Sequence, residues 1–338
     1  MSAETNNTVL AGYAKYGDEC NIRLQPTSEK NWQDSVVLVW WDPDNNIGGF
    51  HRLGHEPNNL DGSFATLWSN LVTPSGIFKR TQSKPLREED SIPGGGYGSG
   101  DGSVTVEFKD GLHTWVIDEP EEDLTACIVH RDTGPNVDCF PKKNAIADNF
   151  AAGHLDIPGT VSGTMTIKGK TFKFQNGLSI RDHGWGVRDW GSALLSHRWI
   201  VGTSGPDFSV FIVVWHSADD RYAKFGWVVR DNIITAAKSI DVVTHMEDDS
   251  LTNRGGKTEL ELVSGEKFIV EWTPVAKGFV SWYRGIACVD RLCSFKAMGE
   301  GKVFNGFGDY ESTSNIHAGD RKPSLLVNGV INDGLTRE

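Results

Sequence analysis

The residues best suited to do chemistry lie between Arg181 and Trp190. This stretch, Arg-Asp-His-Gly-Trp-Gly-Val-Arg-Asp-Trp, holds two arginines, two aspartates, one histidine and two tryptophans. Buried charges destabilise a fold unless they are paired, so a purely structural strand rarely carries so many polar groups beside large aromatic ones. The stretch predicts either a functional site or an Arg–Asp network that pins the fold and keeps His183 as a core histidine.

Alternation along a β-strand would divide the stretch into two faces. Arg181, His183 and Trp185 would share one face, and Asp182 would lie on the other. An imidazole beside an indole suits proton transfer to an apolar substrate, because histidine titrates near neutral pH. We therefore expect protonated His183 to be the general acid, with Asp182 orienting its ring or raising its pKa. An acidic residue such as Asp189 or Glu311 would direct water or remove a proton.

Aromatic and polar side chains elsewhere could complete this site. The chain has twelve tryptophans in 338 residues, and large aromatics concentrate in cores and apolar pockets. Indole rings could also face the positive charge that develops on a substrate. The predicted substrate contacts are Trp185, Trp190, Trp199, Arg181, Arg188, His51, Arg52, His197, Tyr310 and Glu311, with His113 as a further polar anchor.

Two glycine-containing stretches do not fit nucleotide binding. The run at 91–102 misses the G-x-G-x-x-G register and precedes a predicted strand, whereas a dinucleotide-binding loop opens a helix. Residues 255–258 read Gly-Gly-Lys-Thr, but Leu251 stands where the first glycine of a phosphate-binding loop belongs. We expect no nucleotide and no other cofactor.

A histidine pair provides a weak metal signal. His51 and His55 have the spacing of two ligands on one helix face. Gly54 and Pro57 oppose a helix, so we expect a strand followed by a tight turn at 54–58. No metal site is therefore predicted.

The elements that must position these residues are strands. Helical periodicity over ten or more residues is not found, and residues 34–42 are β-branched and aromatic. Hairpins are predicted at Asp110-Gly111, Lys168-Gly169 and Ser264-Gly265. Residues 208–215 are almost continuously apolar, which is typical of a strand covered on both faces. Strands at this spacing predict an all-β protein of sandwiches or closed barrels.

Length favours two domains, because 338 residues are many for one hydrophobic core. The glycine-rich run at 91–102 lies among strands of similar style, so we interpret it as a mobile loop inside the first domain. The boundary is expected between residues 141 and 159. The predicted domains are 1–150 and 151–338, and the second carries the Arg181–Trp190 stretch.

Charge and composition limit the partners. The formal net charge of −12 opposes binding to nucleic acid and to anionic lipid, and no apolar run approaches the roughly 20 residues of a membrane span. The first residues lack the apolar core of a secretory signal, so a cytoplasmic location is expected. The five cysteines contain no Cys-x-x-Cys and are predicted to be reduced thiols.

A family resemblance adds to these patterns. Residues 177–190 resemble the signature of the carotenoid 1,2-hydratase-like superfamily, the AttH-like lipocalin-type proteins, and residues 48–58, 154–163, 226–231 and 306–311 agree with it. The resemblance spans nearly the whole chain and is closest to bacterial members with paired domains. It implies two tandem lipocalin-like β-domains, of barrel or sandwich type, with a ligand cavity at or near their junction.

The resemblance also implies a chemistry. In the hydratases of this superfamily, residues of the Asp-His-x-Trp-Gly portion are implicated in catalysis, and they fall on Asp182, His183 and Trp185 here. Arg181 and residues 188–190 depart from the hydratase pattern, which argues against carotenoid itself as the substrate. Superfamily members include carotenoid hydratases, a fungal isoflavonoid hydratase and cofactor-free cyclases.

We therefore expect a cofactor-independent lyase that acts by acid–base catalysis on a hydrophobic small molecule. Hydration, dehydration, isomerisation and carbon–carbon cleavage are all compatible with it, and the substrate could be a terpenoid, a steroid or an aromatic compound undergoing breakdown. Two alternatives stay open: a non-catalytic carrier of a hydrophobic ligand, and a cyclase that works by shape alone. A homodimer is one option for the assembly.

Overall fold

The computed structural model describes residues 7–9, 16–138, 151–190, 194–218, 221–248 and 252–315. These residues divide into two compact units. The first unit comprises the described residues of Lys15–Asn136 and Gly153–Val187, and the second comprises those of Met1–Ala14, Val137–Ala152 and Arg188–Glu338. Each unit is built on one large sheet, so the predicted all-β class is confirmed.

Strands make up most of both units. In chain order they are β1 (Asn7–Val9), β2 (Trp32–Asp42), β3 (Ile47–Asn59), β4 (Gly62–Thr73), β5 (Gly76–Pro85), β6 (Tyr97–Gly98), β7 (Val104–Lys109), β8 (Leu112–Glu119), β9 (Leu124–Asp132), β10 (Val137–Asp138), β11 (Gly153–Ile167), β12 (Lys170–Val187), β13 (Leu194–Thr203), β14 (Ser209–Ser217), β15 (Tyr222–Arg230), β16 (Ile233–Met246), β17 (Asn253–Leu262), β18 (Lys267–Pro274), β19 (Phe279–Tyr283), β20 (Ile286–Asp290), β21 (Leu292–Gly299) and β22 (Lys302–Asn315). Short 3-10 helices span Asp18–Asn21, Glu88–Asp90 and Pro120–Glu122.

The sheet of the first unit has the strand order β5-β4-β3-β2-β12-β11-β9-β8-β7-β6. β12 pairs with β2 over ten residues, from Leu178 opposite Trp41 to Val187 opposite Trp32. The predicted boundary at residue 150 is therefore wrong. β11 and β12 complete the sheet of the first unit, because they provide hydrogen-bond partners for both β2 and β9.

One face of this sheet holds the core of the first unit. Val36, Leu38 and Trp40 alternate along β2 and pack in this core. Residues directly opposite on neighbouring antiparallel strands share a face. His183, which pairs with Val36, and Arg181, which pairs with Leu38, therefore point to the core side. We call this side the inner face and the opposite side the outer face.

Eight strands of the second unit close into a barrel, in the order β13-β14-β15-β16-β17-β18-β21-β22, with β22 pairing back to β13. The interior is apolar and includes Ile212, Val228, Trp272 and Tyr310. The β19–β20 hairpin extends the sheet beyond β22, and β1 pairs in parallel with β15. β14 is buried along its whole length, as its apolar sequence predicts.

The turns follow local sequence at most of the predicted positions. Asp110-Gly111 joins β7 to β8 and Lys168-Gly169 joins β11 to β12, and all four residues have positive φ, as two-residue hairpin turns require. Ser264-Gly265 lies between β17 and β18, as predicted. The expected turn at 54–58 is wrong, because β3 continues to Asn59 and stays paired with β4 through Glu56.

The glycine-rich run at 91–102 is anchored, which differs from the mobile loop expected. It contains β6, which pairs with β7, and Tyr97 at its centre is fully buried. A hydrogen bond of 3.1 Å from the Gly100 amide to the Asp90 carboxylate holds the following turn. Among the described residues, no helix has the length and apolar character needed to cross a membrane.

Candidate functional site

The Arg181–Val187 part of the motif lies in β12 and divides its side chains between two faces. Arg181, His183 and Trp185 are on the inner face, and the His183 and Trp185 rings are 5.0 Å apart. The strand alternation anticipated from the sequence is therefore present. The inner face carries the candidate site because it brings the imidazole, the guanidinium and the indole together.

His183 is held by a carboxylate and a phenol of the same unit. Its Nε2 atom lies 2.6 Å from Asp34 Oδ1 and 3.2 Å from the Tyr97 hydroxyl, and the Tyr97 hydroxyl donates to Asp34 Oδ1 at 2.7 Å. None of the three side chains reaches solvent. Burial first, and then the negative charge of Asp34, raises the pKa of Tyr97 well above its ordinary value of 10.0, so the phenol keeps its proton.

Residues 16–24 lie over this group, and we call them the covering segment. The His183 Nδ1 atom is 2.6 Å from the Cys20 carbonyl oxygen, and the Leu24 amide donates to Asp34 Oδ2 at 2.5 Å. Asn21 Oδ1 accepts a hydrogen bond of 2.8 Å from Arg181. The covering segment therefore occupies polar atoms of three inner-face residues.

These contacts determine how many protons the His183 imidazole and the Asp34 carboxylate hold together. A carbonyl oxygen only accepts hydrogen bonds, so Nδ1 carries a proton and donates it to Cys20. A second proton lies between Nε2 and Asp34 Oδ1, because a contact of 2.6 Å between two acceptors would be repulsive. His183 and Asp34 together thus hold two protons and form a buried pair without net charge.

Arg181 anchors a second network beside the first. Its Nε and Nη2 atoms donate to the two carboxylate oxygens of Asp132, each at 2.8 Å. His130 bridges Asp132 and Ser179, with both contacts at 2.8 Å. Burial alone would raise the pKa of Asp132, but the hydrogen bonds from Arg181 and His130 outweigh it and hold that pKa well below its ordinary value. Arg181 therefore faces a permanent negative charge.

An apolar wall adjoins these polar groups. Leu155, Ile157 and Trp185 form a buried cluster, and Leu24 and Tyr16 of the covering segment pack against it. The Tyr16 and Trp185 rings meet edge to face, with centroids 5.0 Å apart. The inner face thus combines a proton donor, a guanidinium and an apolar surface under the covering segment.

Three further histidines line the inner face. His51 contacts the Trp40 indole nitrogen and the Ser69 hydroxyl, both at 3.1 Å, and burial lowers its pKa to about 3. Burial, followed by the charge of Arg181, lowers the pKa of His113 well below 6.5. His55 contacts the Gly98 carbonyl oxygen at 2.9 Å. These rings are not arranged as the shared metal site that the His51–His55 spacing suggested.

The expected role of Asp182 is wrong. It points to the outer face, where one carboxylate oxygen lies 2.8 Å from His154 Nε2. Consecutive residues of a strand face opposite sides, so Asp182 cannot orient His183, and Asp34 of β2 does so instead. Arg52 is also on the outer face, where it donates to Thr66 at 2.9 Å and lies over the Trp68 ring.

The remaining predicted residues belong to the second unit. Arg188 lies over the Trp190 ring at 5.3 Å, and Asp189 between them is exposed. Tyr310 is inside the barrel, where its hydroxyl is 2.6 Å from Thr244 Oγ1. Its position among core residues argues against a substrate contact.

His197, Trp199 and Glu311 share the side of β13 and β22 that faces away from the barrel interior. His197 Nε2 lies 2.7 Å from Glu311 Oε1. Burial would raise the pKa of Glu311, but His197 and Thr313 lower it on balance. Within the described residues, Cys288, Asp290 and Glu311 form one of two groups with metal-ligand spacing, and His154, Asp156 and Asp182 form the other.

A cavity of about 640 Å³ in the first unit is a poor candidate for an apolar ligand. It is lined by charged residues of β5 and of the turns near residues 101–103 and 118–122. Arg80 in its wall forms ion pairs with Asp101 and Glu119. None of the predicted site residues lines this cavity.

Sequence reasoning missed Asp34, Tyr97 and Asp132. Asp34 was visible as a charge in phase with Val36 and Leu38 on the buried face of β2, a phase that it shares with Asp42 at the end of the strand. Tyr97 was visible as a single large aromatic within the glycine-rich run. No local pattern marked Asp132, because its partner Arg181 is 49 residues away in the chain.

Comparison with known families identifies the chain. Residues 17–316 match the family model described as a domain of unknown function, DUF7064. The chain belongs to this family. The match covers all the residues of the candidate site from Cys20 to Trp185, and no protein of curated function matches the sequence.

Solved structures share the fold at low identity. A protein provisionally assigned as AttH, from Nitrosomonas europaea, is 12% identical with a TM-score of 0.65, covering 91% of this chain and 99% of that one. CghA is 12% identical with a TM-score of 0.61, covering 86% and 90%. Kievitone hydratase from Nectria haematococca is 10% identical with a TM-score of 0.52, covering 92% and 97%. The predicted resemblance to AttH-like proteins of lipocalin type is confirmed for the fold.

Proposed function

We propose that this protein is a cofactor-independent lyase in which His183 is the general acid. The observation that carries the proposal is the buried His183–Asp34 pair, which holds two protons and directs the one on Nδ1 away from Asp34. A histidine oriented by a carboxylate is a recurring arrangement in general acid–base catalysis. Tyr97 and the Leu24 amide fix the carboxylate, and so keep the imidazole in this orientation.

The substrate would take the place of the covering segment. Its leaving or entering oxygen would occupy the position of the Cys20 carbonyl oxygen, within reach of the His183 Nδ1 proton. A second oxygen could replace Asn21 Oδ1 on Arg181. The hydrocarbon part would then lie on the wall of Leu155, Ile157 and Trp185, which favours a largely apolar molecule with one or two oxygens.

This placement allows the elimination of water without net gain or loss of protons by the protein. His183 gives its Nδ1 proton to the substrate hydroxyl, and the carbon–oxygen bond breaks as water leaves with the bonding pair. The neighbouring carbon then loses a proton, and the electron pair of the broken C–H bond forms the double bond. That proton returns to the His183–Asp34 pair and restores the starting state. Hydration is the same sequence reversed, and the Trp185 face would stabilise the cationic carbon.

The structural neighbours support this class of reaction. Kievitone hydratase is named for adding water to its substrate, and CghA has also been crystallised with the compound Sch210972. Both have the fold of this chain. Aromatic-compound breakdown, a homodimer and a cytoplasmic location remain predictions from the sequence.

The test is turnover of a panel of hydroxylated and unsaturated terpenoids, steroids and isoflavonoids, followed by mass spectrometry for gain or loss of one water. His183→Ala is a poor probe because it leaves Asp34 buried without its partner. His183→Asn is better, since the asparagine amide can still donate to Cys20 but cannot transfer a proton. We expect it to lower turnover by about 10²- to 10⁴-fold while the protein stays folded.

Each other outcome selects a different function. Tight binding of a panel compound without any product would identify a carrier. Turnover that falls less than about tenfold in His183→Asn would favour a reaction driven by shape. Asp34→Asn provides a second variant, and full activity in it would refute the paired acid.

A further inference from the structure

A second buried polar cluster lies in the second unit, outside the site proposed above. Cys288 and Asp290 are on β20, and Glu311 is on β22 beside it. The ligand atoms of these three side chains lie within 4.8 Å of one another, and all three residues are buried. The Cys288 thiol is 3.7 Å from Asp290 Oδ1. One sulfur and two carboxylates therefore converge inside the protein.

Two polar side chains on the face of this group have no hydrogen-bond partner among the residues that the structure describes. The Ser281 hydroxyl has none among the described residues, and Ser281 lies directly opposite Cys288 on the neighbouring strand β19. Side chains at directly opposed positions share a face and are about 5 Å apart. Ser281 is fully buried, so it points into the cluster at an energetic cost that nothing in the described chain offsets.

Asp309 is the second of these side chains. It precedes Glu311 by two residues in β22, so the two share a face, and Asp309 is fully buried. Neither carboxylate oxygen accepts a hydrogen bond of acceptable geometry from any residue the structure describes, although the amides of Arg291 and Tyr310 lie nearby. Two acidic side chains, Asp309 and Glu311, therefore lie on this buried face.

We propose that Cys288, Asp290 and Glu311 bind one divalent transition-metal ion, Zn²⁺ above others. Zinc takes thiolate and carboxylate ligands and is commonly held by three protein groups with a fourth position open. Sulfur among the ligands disfavours Mg²⁺ and Ca²⁺, which prefer oxygen alone. Ser281 is opposite Cys288 and Asp309 is two residues from Glu311, so either could hold a water on the bound ion.

The neighbouring residues fit the role of outer partners. His197 contacts Glu311 Oε1 at 2.7 Å, and the Thr313 hydroxyl donates to the same oxygen at 2.7 Å. Ligating carboxylates in metal sites are usually fixed by such hydrogen bonds. The ion would join β20 to β22, and so would fix the β19–β20 hairpin to the closed barrel.

The test uses the full chain and metal salts alone. Protein purified without chelator is analysed for metal content, stripped, and titrated with Zn²⁺ and with Co²⁺, whose thiolate complexes absorb in the near ultraviolet. We expect one equivalent of metal per chain, a thiolate–Co²⁺ band, and a melting temperature that falls on stripping and recovers with Zn²⁺.

Cys288→Ala and Cys293→Ala form a matched pair, since both remove a buried thiol but Cys293 packs inside the barrel core. The band should disappear in Cys288→Ala and persist in Cys293→Ala. Zn²⁺ affinity in Cys288→Ala should fall by more than the roughly 10- to 100-fold that loss of an outer partner costs. Asp290→Asn serves if Cys288→Ala does not fold, and it should weaken Zn²⁺ binding because it replaces a proposed carboxylate ligand.

Wild-type protein that binds neither ion, or a Co²⁺ complex without the thiolate band, would overturn the proposal. So would Zn²⁺ affinity that is equal in wild type and Asp290→Asn. None of these measurements depends on turnover by His183, so the two proposals can fail separately.

Discussion

The Nδ1 atom of His183 and the carbonyl oxygen of Cys20 lie 2.6 Å apart, although 163 residues separate them in the chain. The contact joins the end of β12 to the covering segment. It also places a backbone oxygen where the proposed mechanism requires a substrate oxygen. Substrate and covering segment would therefore compete for the same proton, and access to the site would depend on how firmly the segment is held.

Gly95 is the residue through which the covering segment can be loosened. It has a φ of +87°, and a Cβ atom added there would lie 2.6 Å from Ile22. Its carbonyl oxygen accepts a hydrogen bond of 2.8 Å from the Arg23 amide. We expect Gly95→Ala to cost about 1–3 kcal/mol, which raises the open fraction of the segment roughly 5- to 150-fold. Limited trypsin digestion measures this open fraction. The rate of cleavage after Arg23 is monitored by mass spectrometry.

Gly111→Ala is the matched control for this variant. Gly111 has a similar φ of +74°, but a Cβ atom added there would have no atom within 4 Å apart from those of its own residue and its two chain neighbours. The variant should therefore carry comparable backbone strain without faster cleavage after Arg23. Equal cleavage rates in the two variants would show that the segment does not depend on Gly95.

Tyr97→Phe tests whether Asp34 is charged. The Tyr97 hydroxyl donates to Asp34 Oδ1, and a hydrogen bond to a charged group contributes about 1.5–3 kcal/mol to stability. Tyr310→Phe provides the comparison, because that hydroxyl bonds the neutral Thr244 and should contribute only about 0.5–1.5 kcal/mol. Urea unfolding of both variants gives the difference. A loss in Tyr97→Phe no larger than that in Tyr310→Phe would contradict an ionised Asp34.

Arg181→Lys should destabilise the first unit although it keeps the charge. Lysine cannot donate to both oxygens of Asp132 in the planar arrangement that arginine uses here, and it also loses the contact with Asn21. We expect a loss of about 1–3 kcal/mol in the free energy of unfolding. A double-mutant cycle with Asp132→Asn should give a coupling energy of about 0.5–3 kcal/mol, whereas additive effects would place the two side chains out of contact.

The buried histidines predict a loss of stability in mild acid. Burial first, and then the charge of Arg181, depresses the pKa of His113 in the folded state, so the unfolded chain binds a proton more readily below pH about 6.5. Stability that is present above that pH is lost as the pH falls towards the folded pKa, by about 1.4 kcal/mol per pH unit for each such histidine.

His113→Phe should remove the contribution of one histidine to the pH dependence of the free energy of unfolding. Denaturant unfolding between pH 8 and pH 5 should show a slope that is smaller by about 1.4 kcal/mol per pH unit below pH about 6.5. At pH 8 the difference in the free energy of unfolding between wild type and His113→Phe reports the change in packing alone. Parallel pH profiles would mean that His113 does not stay neutral in the folded state.

Local sequence predicted the strands well because their signals are local. The hairpin at Lys168-Gly169, the buried strand near 208–215 and the alternation of β12 all depend on neighbouring residues. The domain boundary failed because it depends on a distant pairing: β12 joins β2 across more than a hundred residues, and no periodicity within either strand encodes that partner.

Only those parts of the candidate site that lie on one strand could be predicted, for the same reason. His183 and Trp185 could be placed on one face by counting, and that count already put Asp182 on the other. The residue that does face His183 is Asp34, which becomes its neighbour only when the two strands pair. The role of Tyr97 likewise depends on how the glycine-rich run folds onto β7.

The pairing of β2 with β12 has a consequence for biosynthesis. Asp34 leaves the ribosome 149 residues ahead of His183, and at roughly 5–20 residues per second the delay is on the order of 7–30 s. During that time one edge of an apolar strand, with a carboxylate on its buried face, has no native partner. We expect the nascent chain to need a chaperone in this interval, because an open apolar edge is a template for aggregation.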